Sequence, residues 1–423
     1  MDTGNLAWFL TASALVLFMT PGVAFFYGGL VKAKSVVSMM MMSFGVMGLV
    51  TVLWILYGYS MGTIVNDDTT LIPGVLGNPF TDFAHTAMGS AAEGTGPGGD
   101  DGGLVGSFFG ATFAIITVAL ISGAIADRAK FGAWMVFAGV WATLVYFPVQ
   151  GWVWGSGGWI YNLGTLLFGD DAVATGALDW AGGTAVHINA GAAALALALV
   201  LGKRIGFKKG LSAPHNVPFV ILGASILWFG WFGFNAGAAA LSDGLAGIGI
   251  LAFNTWGATA AAILGWLIVE KIKDGKATSV GAASGAVAGL VAITPACAYL
   301  TPGWALVLGL LAGAICALAI ELKFKLGFDD SLDVVGVHMV GGFVGCWFLG
   351  FFANGTGLIN SGNGEQLLVQ IIASVTVAAF SFVFAFIIGF VIEKTMGFRV
   401  KSEDELAGVD AVVHGEEGYV LTD

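Results

Sequence analysis

The stretch Asp179-Trp-Ala-Gly-Gly-Thr-Ala-Val-His187-Ile-Asn-Ala-Gly191 has a counterpart in Asp330-Ser-Leu-Asp-Val-Val-Gly-Val-His338-Met-Val-Gly-Gly342. Each has an Asp eight residues before the His and a Gly four residues after it. On a helix, residues four and eight apart drift only slowly around the axis, so acid, imidazole and Gly lie near one face. Each His opens a long apolar run. Burying an ionisable group at membrane depth costs several kcal/mol, roughly, so such a group usually has a function. Two of them in matching positions predict that these stretches line a path through a membrane protein.

The composition is that of a chain built for lipid. Of the 423 residues, 57% are hydrophobic and 10% are charged, whereas soluble chains carry about 25% charged residues. The 66 glycines indicate close helix packing through small residues. Cys297, Cys316 and Cys346 have no metal-ligand spacing and are expected in the core. The net charge of −11 gives no indication of nucleic-acid binding, and no motif of an enzyme, a cofactor site or a metal site is present.

Apolar segments long enough to cross a bilayer recur along the whole chain. The first lacks a basic region before it and a cleavage site, so we interpret it as a retained helix and not as a signal peptide. The sequence therefore predicts an all-α polytopic membrane protein with eleven spans, numbered here in chain order: 6–31, 36–62, 104–126, 131–150, 181–202, 217–240, 245–269, 279–297, 303–321, 334–353 and 367–394.

The charges predict the orientation. All 16 Lys and Arg residues follow odd-numbered spans, and the alternate loops hold only acids. The positive-inside rule then places the N-terminus outside the cell membrane and the C-terminus in the cytoplasm.

The two His stretches fall on spans 5 and 10. If spans 1–5 and 6–10 are repeats, their odd number forces opposite orientations, and inverted repeats place a pathway between the halves. We expect a membrane domain at 1–398, with repeat one at about 6–202, repeat two at about 217–353 and an extra helix at about 367–394. A cytoplasmic tail follows at 399–423.

The loop 63–103 is rich in Gly, Asp, Thr and Pro and carries no basic residue. It is expected to be an ordinary solvated loop, or one whose charge concentrates cations near a pore mouth. His85 within it is expected to be solvated.

Several separate motifs resemble one family, the ammonium transporters (the Amt/Mep group, related to Rhesus proteins), and the bacterial and archaeal Amt type above all. The resemblance covers essentially the whole chain and implies eleven helices per subunit, a homotrimer and one pore in each subunit. The motifs that carry it are Thr20-Pro-Gly-Val-Ala-Phe-Phe-Tyr-Gly-Gly29, Asp179 to Asn189, Gly230-Trp-Phe-Gly-Phe-Asn-Ala-Gly237, Thr294-Pro-Ala-Cys297 and Gly336-Val-His338.

The resemblance implies an outer site that recruits ammonium, with Phe113 and Trp154 as an aromatic cage. The Ser hydroxyl usual in the family is replaced by Ala238. Aromatic faces attract a cation through their quadrupoles, and the methyl group removes one acceptor. From the sequence alone, ordinary core or interfacial packing of these rings is the simpler interpretation.

Below this site the resemblance implies two stacked rings, Phe109 and Phe234, that gate the pore. His187 and His338 then line an apolar lumen, where neutral ammonia is cheaper than ammonium and forms hydrogen bonds with imidazole. The hypothesis is that ammonium or its analogue methylammonium loses a proton near the gate. The proton follows separately or stays outside. Asp179 is expected to support the structure as a helix cap and not to bind the cation.

Three alternatives or extensions remain open at this point. The chain could be a Rhesus-like electroneutral gas channel, or an ammonium sensor that signals through its tail. The tail resembles the family's cytoplasmic tail, which in many members helps to receive a PII signalling protein; a frayed terminus is the plain alternative.

Overall fold

The chain folds into a bundle of long apolar helices. The computed structural model describes residues 1–90, 100–207 and 213–419. In these ranges ten helices are long and apolar enough to cross a membrane, and Ser279–Ile293 is a shorter apolar helix. The prediction of an all-α membrane protein with eleven spans is confirmed. The spans are Thr3–Leu30, Ala33–Gly62, Asp101–Ile125, Phe131–Trp154, Gly183–Leu201, Val217–Leu241, Ile248–Asp274, Ser279–Ile293, Pro302–Leu326, Val335–Phe352 and Glu365–Thr395.

Span 8 is shorter than predicted. It ends at Ile293, although the apolar run continues to residue 297. Pro295 has no backbone N–H and cannot continue the helix, so the chain turns through residues 294–299 before span 9 begins at Pro302.

Outside the spans lie short elements only. Strands Thr70–Ile72 and Leu76–Gly77 form an antiparallel hairpin in the predicted loop 63–103, of which residues 91–99 lie outside the described residues. The remaining short helices are Leu163–Phe168, Leu358–Ser361 and Ser402–Ala407, with 3₁₀ turns at Asp67–Thr69, Phe83–His85 and Asp243–Leu245 and a π turn at Asp410–His414.

Glycines allow two pairs of spans to approach closely. A Cβ atom on Gly223 of span 6 would overlap the backbone of Phe26 in span 1. Likewise, Cβ atoms on Gly309 and Gly313 of span 9 would overlap span 7 at Ala258 and Ala262. The high glycine content therefore serves helix packing, as membrane helices require in the absence of a hydrophobic drive between them. The three cysteines are buried and unpaired.

A buried ionic cluster joins the loops at the end of the bundle that carries the basic residues. Arg204 pairs with Asp127 at 3.1 Å and with Asp329 at 2.9 Å, so it connects the loops after spans 3, 5 and 9. Burial alone would raise the pKa of Asp329, but the hydrogen bonds and charge of Arg204 hold that pKa below its ordinary value. The cluster holds together loops from both halves of the chain.

The tail packs on the same end of the bundle. Arg399 pairs with Glu405 at 2.7 Å, and the Asp410 carboxylate accepts the N–H groups of Val37 and Ser38 at the start of span 2. Tyr419 contacts the ring of His215 before span 6, its hydroxyl 2.8 Å from Nε2. The described tail, up to residue 419, therefore contacts the bundle at Asp410 and at Tyr419; residues 420–423 lie outside the described residues.

Candidate functional site

Asp179 organises the N-terminal start of span 5. Its carboxylate accepts the backbone N–H groups of residues 182, 183, 184 and 185 at 2.6–3.1 Å. These are first-turn donors that a helix cannot satisfy by itself. The side chain is 5% exposed, and each oxygen accepts two donors, so its contacts are those of a buried helix cap.

A widened helical turn then positions His187. Gly182 has φ +118°, a conformation that favours glycine, and its carbonyl accepts the N–H groups of both Val186 and His187 at 3.0 Å. The segment Gly183–Ile188 is π-helical, a wider turn that often occurs at functional sites. His187 is 1% exposed.

The second motif repeats this arrangement with different partners. Asp330 accepts the N–H of Val335 at 2.7 Å, and Val335–Met339 is again π-helical, with His338 inside it. Lys323, itself 3% exposed, donates to the Asp330 carbonyl and to the carboxylate of Asp333. Burial raises the pKa of the Asp330 carboxyl to about 6, although Lys323 opposes the shift.

The two imidazoles face each other between the halves of the chain. Nδ1 of His187 lies 3.2 Å from Nδ1 of His338, and the ring planes are inclined by 22°. A neutral imidazole has one N–H and one bare nitrogen. Two neutral rings therefore share this contact only if one carries its proton on Nδ1 and the other on Nε2. The remaining two nitrogens are then one donor and one acceptor.

A narrow apolar cavity lies beside the pair. Its volume is about 10 Å³, which corresponds to a single small molecule. Nε2 of His187 is buried and has no hydrogen-bond partner among the described residues. The cavity is lined by Val23, Phe26, Tyr27, Ile116, Leu120, His187, Leu227, Trp231, Phe234, Val287 and His338.

A column of rings leads to the His pair from the end of the bundle opposite the basic loops. Trp154 packs edge-on against Phe113 at 5.8 Å, and Phe113 stacks on Phe234 at 4.1 Å. Phe234 lies 6.1 Å from the ring of His187, which lies 5.3 Å from that of His338. The indole N–H of Trp154 donates to the Asp179 carbonyl at 2.8 Å, so the cap and the column are joined.

The resemblance implies that Phe109 stacks on Phe234, and the structure has a different ring in that stack. Phe113 stacks on Phe234, and Phe109 instead contacts Phe113 at 4.8 Å and Phe9 at 5.0 Å. Both rings lie on one face of span 3, but Phe113 is one turn deeper and so is level with Phe234. Phe109 sits further out, against Gly237, where a Cβ atom would overlap its ring.

Ala238 follows Gly237 in a short 3₁₀ turn, Gly237–Leu241, and is half-buried. It is therefore next in the chain to the residue that packs on Phe109. It offers no hydroxyl group to a cation at this end of the column.

A second cavity opens on the other side of His338. It measures about 100 Å³ and reaches Asp333 and Glu270, so it is larger and more polar than the first. Because His338 lines both cavities, it separates a narrow apolar space from a wider acidic one.

Two residues at the site were not predicted. Trp231 stacks on His187 at 5.5 Å, and its N–H donates to Thr294 Oγ1 at 2.8 Å. Its place in the Gly230–Gly237 motif was the available signal.

His85 is the other: the expectation that it is solvated is wrong, since it is 9% exposed and both ring nitrogens are hydrogen-bonded.

Metal binding gains no support from the side chains. Among the described residues there is no group of three or more His, Cys, Asp or Glu that could hold a metal ion. The imidazoles of the His pair can take part in hydrogen bonding and proton exchange.

Comparison with known proteins assigns the family. The model of the Ammonium Transporter Family matches residues 7–419. An ammonium transporter of Mycobacterium tuberculosis is 50% identical, over 99% of this chain and 90% of that protein. One of Bacillus subtilis is 42% identical, over 99% of each. The crystal structure of Candida albicans Mep2 has a TM-score of 0.82 at 32% identity, over 96% of this chain and 88% of that one. A sensor Amt protein has a TM-score of 0.83 at 25% identity, over 97% and 98%. The chain belongs to the ammonium transporter family and is a multi-pass membrane protein.

Proposed function

We propose that this protein takes up ammonium across the cell membrane by conducting ammonia past the His pair. The observation that carries the proposal is the facing pair His187 and His338, buried beside an apolar cavity with room for about one small molecule. The positive charges along the sequence support an external N-terminus, with the ring column opening to the outside.

Recruitment takes place at the outer end of the ring column. The faces of Phe113 and Trp154 attract a cation that sheds water, and their perpendicular packing offers two aromatic surfaces at one point. Phe109 adds a third ring next to Phe113. Ala238 supplies no hydroxyl acceptor here, so binding depends mainly on the rings.

Deprotonation follows from the cost of burial. Phe113 stacked on Phe234 closes the way to the apolar cavity, and a charged ion in that space loses its hydration without a counter-charge. Neutral ammonia loses much less hydration free energy in the same space. It also accepts from one imidazole N–H and donates to the bare nitrogen of the other ring.

The proton moves separately from ammonia in this proposal. The Nδ1–Nδ1 contact of 3.2 Å allows a proton to pass between the rings, and transport then carries net charge and responds to the membrane potential. An electroneutral gas channel is the competing possibility. Electrical recording on proteoliposomes distinguishes them: a current on addition of ammonium, larger at inside-negative potential, supports the relay, and uptake without current contradicts it.

The central test removes each imidazole. We expect His187→Ala and His338→Ala to abolish ammonium-selective uptake or to replace it by a flux that potassium inhibits. His414→Ala, in the tail and outside the ring column, is the matched control and should transport like the wild type. Unchanged methylammonium uptake in both pore variants would refute the relay.

Assembly and regulation are further parts of the proposal. We expect a homotrimer with one pore in each subunit, checked by native mass spectrometry of the protein in detergent. The docked tail offers a surface at the cytoplasmic end to a PII signalling protein. Pull-down of a PII protein by the full chain, and its loss on deletion of residues 399–423, would support that partner; equal capture by both would contradict it.

Sensing without flux is the second candidate function. It is motivated by the likeness to a sensor Amt protein. The same liposome assay distinguishes a sensor from a transporter, because a sensor binds methylammonium without accumulating it.

A further inference from the structure

His85 links the outer loop to spans 2 and 3, and span 3 carries Phe109 and Phe113. Its Nδ1 lies 2.9 Å from the carbonyl oxygen of Ile55 in span 2, and its Nε2 lies 2.6 Å from Ser107 Oγ in span 3. The ring also packs against Tyr59 at 5.0 Å. The imidazole is 9% exposed, so these contacts are largely shielded from water.

The hydrogen bonds indicate which nitrogen of the neutral imidazole carries the proton. A carbonyl oxygen only accepts, so Nδ1 carries a proton and donates to Ile55. In the neutral ring Nε2 is then bare and accepts the Ser107 hydroxyl. Ser107 in turn accepts the indole N–H of Trp54 at 3.0 Å. Neutral His85 thus completes a chain in which each of these polar groups has a partner.

This chain ends next to the outer rings. Ser107 precedes Phe109 by two residues on span 3, and Phe113 follows one turn later. Trp54 also packs against Gly110, where a Cβ atom would overlap the indole. This turn of span 3 is therefore fixed on both sides of Phe109: by Ser107, which bonds His85 and Trp54, and by the Trp54 ring against Gly110.

We propose that His85 is a positioning residue for the outer site, holding Phe109 and Phe113 in place through Ser107, and that its protonation from outside weakens cation recruitment. In the imidazolium, Nε2–H and the Trp54 N–H both point at Ser107 Oγ, and the Ser107 hydroxyl loses its acceptor. This inference rests on the proposed transport function.

The surroundings of His85 bear on its response to acid. Two acids of the described residues, Asp82 and Asp100, lie near Tyr59, whose ring packs against His85. The carboxylate of Asp82 is engaged by the N–H groups of Ala87 and Met88, and that of Asp100 by Gly103.

The test uses external pH, since ammonium and methylammonium stay protonated across the range in which imidazole titrates. In wild-type proteoliposomes, lowering external pH from about 7.5 to about 5.5 should raise the apparent KM for methylammonium about fivefold, the effect of one hydrogen bond, with little change in maximal rate. His85→Gln keeps one donor and one acceptor and should remove the pH effect on KM. His85→Ala should show the high KM at both pH values. An acid-induced rise that persists in His85→Gln, or a wild-type KM in His85→Ala, overturns the proposal.

A second measurement separates this inference from transport itself. Hydrogen exchange at a single neutral pH should be faster in residues 100–108 of His85→Ala than of the wild type, and His85→Gln should restore protection. Equal exchange in all three proteins overturns the positioning role even if transport is observed. Absence of uptake by the wild type, with the exchange pattern as expected, would instead refute the proposed function alone.

Discussion

Asp179 and Asp330 occupy matching positions eight residues before the two pore histidines, but their carboxylates have different partners. Asp179 is satisfied by four backbone N–H groups and lies at the outer end. Asp330 accepts one backbone N–H, and its Oδ1 has no hydrogen-bond partner within the described residues. Lys323 lies beside it. In both motifs an acid precedes a π turn that holds the imidazole. The second copy also has the charged side chains of Lys323 and Asp333 beside its acid.

The difference separates two tasks. Four N–H donors make Asp179 a rigid anchor, and its carbonyl also accepts from Trp154, so the anchor sets the outer ring column. At the second motif, Asp333, which pairs with Lys323, lines a cavity of about 100 Å³ that reaches His338. We infer that the outer motif supplies stability and the inner motif supplies a route to water for a proton.

Removal of the Asp179 carboxylate should have the largest effect. Asp179→Ala leaves four buried N–H groups without their acceptor, at about 1–3 kcal/mol each where water cannot replace it. We expect loss of a cooperative unfolding transition, or a melting temperature lower by more than about 10 °C, with no measurable uptake. Thermal unfolding in detergent and liposome uptake check this.

The control for this change is Asp171→Ala, an exposed acid in the preceding outer loop. It should leave both measurements unchanged. A wild-type melting temperature in Asp179→Ala would mean that the four hydrogen bonds do not anchor the outer half.

Lys323→Met tests the charged side of the comparison. It keeps most of the apolar stem and removes the buried cation between Asp330 and Asp333. Breaking a buried pair costs about 3 kcal/mol, less here because Asp333 is 29% exposed and can be hydrated. Chemical or thermal unfolding should therefore give a loss of about 2 kcal/mol.

Lys325→Met is the matched control, since Lys325 is exposed on the same short helix. It should change stability by less than about 0.5 kcal/mol. Equal losses in the two variants would argue against a special role for the buried cation.

Asp330→Asn should change the pH dependence of stability. The pKa of Asp330 is raised from 3.8 to about 6, so ionisation costs the folded state more than the unfolded one. In the wild type, the free energy of unfolding should therefore fall as pH rises from about 4 through about 6, and this fall should be complete above that pH. The amide stays neutral and can still accept the Val335 N–H. The variant should therefore gain stability relative to the wild type over that interval and match it at lower pH.

Unfolding of both proteins between about pH 4 and pH 8 measures this difference. A stability difference that does not vary with pH would contradict the raised pKa. Asp179→Asn is the contrasting variant: it loses acceptor capacity for the four N–H groups and should be destabilised even at the acidic end.

The sequence predicted the features that periodicity and charge determine. Apolar length and the Lys/Arg pattern gave the eleven spans, and the repeated Asp-to-His spacing identified both His187 and His338. The spacing could not determine depth across helices, since Phe109 and Phe113 share one face and only packing against span 6 selects Phe113 for the stack. His85 was missed for a related reason. Ala84 and His85 have positive φ angles that fold the turn back onto span 2, and no residue pattern predicts that conformation for them.

The smallest expected effect concerns the outer site, where the anchored half meets the cation. Ala238→Ser adds one acceptor beside a site that remains open to water, so the gain is that of one partly hydrated hydrogen bond, about threefold in apparent KM for methylammonium. The maximal rate should not rise, because tighter binding of the ground state lowers KM without lowering the barrier at the stacked rings. Ala246→Ser, exposed on the adjacent loop, is the control and should leave KM unchanged. A rise in maximal rate would mean that residue 238 acts on the gate itself. An unchanged KM would mean that the rings alone determine recruitment, and that the outer half needs no hydroxyl group because Asp179 already holds Trp154 in place.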